Sequence, residues 1–96
     1  MNRLVLSAQL VERDALRYTP AGLPALNLSL KHESEVNEDG HPRKVSMEIR
    51  AVGIGAVSQG LSAMVMGSAG LFGGFVASAR NGRGLLFHIT SVEPLA

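Results

Sequence analysis

The sequence predicts an all-β fold: a small barrel of five short strands with one short helix between the third and fourth strands. Three observations carry the prediction. Apolar residues recur at every second position in several segments, two hairpin signals ending in glycine fall between such segments, and the single stretch of helical character is brief. A chain of 96 residues encloses one modest core and not two, so residues 1–96 are expected to form a single domain.

The first strand runs from Arg3 to Glu12, with Leu4, Leu6, Ala8 and Leu10 on one face and Val5, Ser7, Gln9 and Val11 on the other. Tyr18-Thr19-Pro20-Ala21-Gly22 follows as a loop, its proline suited to the second position of a turn and its glycine to positive φ. The second strand, Ala25 to Ser34, turns Leu26, Leu28 and Leu30 inward. A polar connection from Glu35 to Arg43 contains Asp39-Gly40, a hairpin signal that pairs the second strand antiparallel with the third, Lys44 to Val52. There Val45, Met47, Ile49 and Ala51 are expected inward, opposed to Lys44, Ser46, Glu48 and Arg50. The helix is predicted from Ala56 to about Met64, and two more strands over Leu71–Ala79 and Leu85–Val92, joined by a tip at Arg80-Asn81-Gly82-Arg83-Gly84. Glycines crowding between Gly53 and Gly74 fit bends at barrel corners. This order of elements is that of the OB-fold barrel.

With no cysteine, neither a disulfide nor a thiolate metal site reinforces so small a core, and self-association is the expected source of further stability. The lack of cysteine also fits a reducing cytoplasm, and the alternating, soon-charged N-terminal residues do not form the apolar stretch of a signal peptide. The net charge is only +1, but acids gather at Glu33, Glu35, Glu38 and Asp39, whereas Arg43, Lys44, Arg50, Arg80 and Arg83 dominate after Gly40. A basic patch is compatible with that distribution.

Several patterns are set aside. Gly53-Ile54-Gly55-Ala56-Val57-Ser58 imitates a dinucleotide-binding turn, yet it lacks the third glycine, the later acidic residue and a βαβ unit. The stretch Ala51–Ala79 carries no charge, but its glycines, serines and Gln59 argue for a core segment over a membrane span. His32, His41 and His88 lack metal-ligand spacing, no serine sits in a nucleophile elbow, and the acids lie in one polar segment without contrasting environments. The chain is therefore expected to be no enzyme and to need no cofactor, metal or small-molecule substrate.

The segments Asn2-Arg3-Leu4-Val5-Leu6-Ser7 and Leu16-Arg17-Tyr18-Thr19-Pro20-Ala21-Gly22-Leu23-Pro24-Ala25-Leu26-Asn27-Leu28-Ser29-Leu30 resemble the opening of the bacterial single-stranded-DNA-binding protein family. The Gly67-Ser68 turn, the Gly74-Phe75-Val76 strand and the close at Ala96 resemble its shortened primosomal branch. The resemblance implies a homodimer of OB-folds that binds single-stranded DNA, links a restart helicase to other primosome proteins, and has no catalytic activity. It further implies that Lys31, Arg43, Lys44, Arg80 and Arg83 meet phosphates. Arg17 and Tyr18 in the first loop and Arg50 on the polar face of the third strand join that expected DNA-binding set. Strand one, through Leu4, Val5, Leu6 and Val11, is the expected dimer surface, closing an open edge.

One departure matters. Where relatives carry stacking rings, Gly40-His41-Pro42-Arg43-Lys44-Val45-Ser46 offers only His41, so binding is expected to rest on phosphate contact. Two alternatives stand beside this reading: a protein-interaction OB adaptor that touches DNA only incidentally, and a short housekeeping single-stranded-DNA-binding protein. The second is disfavoured because the sequence closes on Val92-Glu93-Pro94-Leu95-Ala96 without an acidic tail.

Overall fold

A computed structural model describes residues 1–95, in the order β1 (Leu4–Arg13), β2 (Arg17–Tyr18), β3 (Pro24–Glu38), β4 (His41–Ile54), α1 (Val57–Ala63), β5 (Ala69–Ser78) and β6 (Leu85–Pro94). The barrel closes because β1 divides itself between two partners. Its first part pairs antiparallel with β5 from Leu4 to Gln9, and its second part with β3 from Gln9 to Arg13, across a register shift between Leu10 and Glu12. Antiparallel β3–β4 and β5–β6 pairs and a parallel β4–β6 contact at Ala51–Gly53 complete the ring. This is the OB-fold connectivity, with α1 between the third and fourth barrel strands as expected.

The alternation read from the sequence is realised in the barrel. Leu6, Ala8 and Leu10 of β1 and Leu26, Leu28 and Leu30 of β3 meet Phe72 and Phe87 in the core. Helix α1 closes the core by seating Leu61 in it. The helix carries no basic residue in its last turn. Instead Arg13 donates from Nη1 to the carbonyl oxygens of Leu61, at 3.1 Å, and Met64, at 2.6 Å. Arg13→Ala should strip Met64 O of this donor, leave Leu61 O with only the long Met64 N–H bond at 3.4 Å, and lower stability by about 2 kcal/mol in urea unfolding, with Arg13→Lys recovering part of the loss.

At three places the local structure differs from the sequence expectation. The segment Glu35–Arg43 is not a loop: β3 and β4 stay paired to Glu38↔His41 and turn through Asp39 (φ 51) and Gly40 (φ 80). Both positive φ values belong to the tight turn that an Asp-Gly pair favours. The strands were hidden because this ribbon projects from the barrel with both faces wet, so no apolar alternation marks it. The radius of gyration of 14.0 Å, against about 12.5 Å for a compact chain of this length, reflects that arm. For the same reason Met47, expected inward, lies exposed on the arm. Arg17 and Tyr18 form a short strand on Pro24 and Ala25 because Pro20 and Gly22 reverse the chain, with Gly22 N donating to Thr19 O at 2.8 Å.

β5 and β6 shift register between Gly73 and Gly74. A Cβ at Gly74 would lie within the contact radius of the His88 carbonyl oxygen. The glycine allows the strands to close at this bend.

The uncharged stretch is divided among the end of β4, α1 and β5, and among the described residues no helix is long and apolar enough to cross a membrane. The dinucleotide-like turn is a strand-to-helix connection in which Ser58 Oγ donates to Gly55 O at 2.6 Å.

Candidate nucleic-acid interface

Cross-strand neighbours in a sheet share a face, so register shows which cations stand together. On the outer wall of β3 and β4, Lys31 faces Glu48, Arg50 faces Ser29, and Lys44 faces Glu35. Arg17 joins this wall from β2, its Nε donating to Asn27 Oδ1 at 3.0 Å. Arg50 is tethered: it donates to Ser29 Oγ at 2.6 Å and forms ion pairs with Glu12 at 3.8 Å and Asp14 at 3.6 Å. Lys31 and Lys44 have no ion-pair partner among the described residues.

The other expected site residues lie elsewhere. Arg43 and His41 pair with Val36 and Glu38 on the opposite face of the arm, where Arg43 is ion-paired to Glu38. The structure therefore does not bring them beside Lys31, Lys44 and Arg50. Arg80 and Arg83 are exposed on the β5–β6 turn, held by Gly82 N to Ala79 O at 2.8 Å and Ala79 N to Gly84 O at 3.0 Å. Tyr18 is 68% exposed and borders a cleft with Leu16, Pro24, Gln59 and Ser62, on the α1 side.

Of the expected dimer residues, Val5 and Val11 are exposed, whereas Leu6 belongs to the core and Leu4 packs against it. The side chains of Leu4 and Leu6 are thus turned to the barrel interior, and at this edge they present their backbone. Among the described residues, Leu4–Ala8 pair only with β5, which leaves the second edge of that stretch without a strand. His32 is buried within β3; its Nδ1 lies 2.6 Å from Ser7 O on that edge and its Nε2 2.8 Å from Ser34 Oγ. A carbonyl only accepts, so Nδ1 carries the proton of this bond. Among the described residues no three His, Cys, Asp or Glu side chains are arranged to hold a metal ion.

Sequence reasoning missed two features. One is the pair Glu12 and Asp14, brought to Arg50 only by the bend in β1. The other is an aromatic pair on the outer barrel wall: the rings of Phe75 and His88 stack with centroids 4.7 Å apart and an interplanar angle of 7°. A signal for it exists in the sequence, because pairing outward from the Asn81-Gly82 turn sets Ser78 against Leu85 and then Phe75 against His88.

Residues 2–91 match a family model described as another single-strand binding protein family. The chain belongs to that single-strand binding family. Within the range of known proteins it resembles, the replication restart protein PriB of Bordetella pertussis is 51% identical over 80 residues, 83% of this chain and 75% of the relative. PriB of Neisseria meningitidis serogroup B is 49% identical over 51 residues, 52% of this chain and 51% of the relative. Among solved structures, PriB from Ralstonia solanacearum superposes with a TM-score of 0.89 at 38% identity, covering 98% of this chain and 97% of that one. The single-stranded DNA binding protein of Thermus aquaticus shares the fold at 23% identity, with a TM-score of 0.77 over 100% of this chain and 50% of that one.

Proposed function

We propose that this chain binds single-stranded DNA as a non-enzymatic OB module of the cytoplasmic replication-restart machinery, holding DNA mainly by its phosphates and linking a restart helicase to other primosome proteins. The observation that carries this reading is membership of a single-strand binding family over residues 2–91. The restart role is supported by the name of the relative that is 51% identical. Lys31, Lys44, Arg80 and Arg83 support phosphate contact, being cations without ion-pair partners among the described residues. A single domain and a homodimer complete the proposal, the dimer formed along the open edge of Leu4–Ala8 with Val5 beside it.

Titration of fluorescent oligo-dT at several salt concentrations tests the reading. Four phosphate contacts on a single strand give a log-log salt slope of about −3, so affinity should fall roughly 50-fold between 50 and 200 mM salt. Affinity that does not respond to salt would overturn it.

Arg50 is a cation in reserve. Its carboxylate partners are solvent-exposed pairs of the weak kind, which a phosphate can displace. Glu12→Gln/Asp14→Asn should strengthen oligo-dT binding about two- to fivefold at low salt by releasing Arg50. In an Arg50→Gln background the gain should vanish, and its persistence there would mean that the carboxylates act only through the general field.

A further inference from the structure

We propose that the Phe75–His88 pair is a seat on which one nucleobase of single-stranded DNA stacks; the inference rests on the function proposed above and adds a base contact to its phosphate contacts. Both rings lie on the outer wall, since the residues beside His88 in β6, Phe87 and Ile89, are core. Register continues from Phe75 to His88 on β6, to Val52 on β4 and to Asn27 on β3, one row across four strands. At the far end of that row Asn27 holds the Arg17 guanidinium. At the near end, β5 continues from Phe75 to Ser78, about 10 Å along the strand, where the turn bearing Arg80 and Arg83 begins.

The pair suits a base for three reasons. The chain has three phenylalanines and one tyrosine, and Phe72 and Phe87 are wholly buried, so Phe75 is the phenylalanine that meets solvent. Phe75 as a whole residue is 38% exposed, on a wall that carries cations at both ends, where an apolar ring gains nothing from water. His88 lies parallel to the ring and holds it in one orientation, which lessens the side-chain entropy lost when a third flat group is added. A nucleobase has a π-face to meet the ring and is carried by a phosphate chain that the neighbouring arginines attract.

The test uses the full chain with Phe75→Leu and Phe75→Trp, and oligo-dT beside an abasic oligonucleotide of equal length. Thermal unfolding within a few degrees of the parent shows that each variant folds. Phe75→Leu should weaken oligo-dT binding about 5- to 50-fold, leave the salt slope unchanged and leave abasic binding unchanged. Phe75→Trp should keep oligo-dT affinity. The parent has no tryptophan, so its fluorescence reports the seat alone and should be quenched by oligo-dT but not by the abasic strand. Equal binding of oligo-dT by the parent and Phe75→Leu, or unquenched Trp fluorescence in a DNA-bound complex, overturns the seat while the DNA-binding function stands. A changed subunit count of Phe75→Leu in sedimentation also overturns it, by making this wall a protein contact. Failure of the parent itself to bind oligo-dT would instead remove the function on which the seat rests.

Discussion

Arg80→Glu/Arg83→Glu is expected to weaken oligo-dT binding at least about 100-fold at low salt and to reduce the salt slope by about 1.4, two single-strand phosphate contacts' worth. Both arginines stand on an exposed turn closed by backbone hydrogen bonds, so the substitutions alter charge without disturbing the core. Circular dichroism and thermal unfolding should match the parent. Fluorescence anisotropy at four or more salt concentrations separates two readings that share this fold. A DNA-binding protein loses affinity and slope together, whereas an adaptor that meets DNA only incidentally keeps both nearly unchanged. Lys44 is a useful comparison, being on a different hairpin: Lys44→Gln removes one cation and should change the slope by about half as much.

Gly74→Ala should have the largest effect on stability. The β5–β6 register shifts between Gly73 and Gly74, and the added methyl meets the His88 carbonyl, which is backbone and has no rotamer by which to retreat. Strand separation at this bend would disturb the burial of Phe72, Phe87 and Ile89 on the flanking residues. A loss of at least about 3 kcal/mol is expected, a large part of what a domain of this size possesses. Urea unfolding measures it. Gly22→Ala is the control, because its positive φ is strained but open space surrounds it, and about 1 kcal/mol is expected there. Equal losses at the two positions would show that conformational freedom, not the close approach, explains Gly74.

The two Asx-Gly turns were legible in the sequence because their chemistry is local: Asp39-Gly40 and the turn containing Asn81-Gly82 stand at the two hairpin tips. Strands with one dry face were legible for a related reason. Leu26, Leu28 and Leu30 alternate because every second side chain must leave water. The outer part of the arm, from Glu35 to Arg43, was not, since burial imposes no period on a ribbon wetted on both sides, and its polar residues imitate a loop. The site divides in the same way. Which residues are cationic is written in the sequence, as is the all-β character that presents them.

Which cations share a wall is a matter of register and of distant contacts, and only the tertiary structure decided it. A shift of one residue reverses every side chain in a strand, and so Lys44 and Arg43, adjacent in the chain, take opposite faces of the arm. Arg50 meets Glu12 and Asp14, and Arg13 meets the end of α1, only because β1 bends between Leu10 and Glu12 as the barrel closes. The stacking of Phe75 on His88 likewise depends on two strands reaching each other across a turn. Composition and periodicity determined the kind of barrel and its stock of charges; the closing of the barrel determined which charges are free, which are tethered and which ring faces outward.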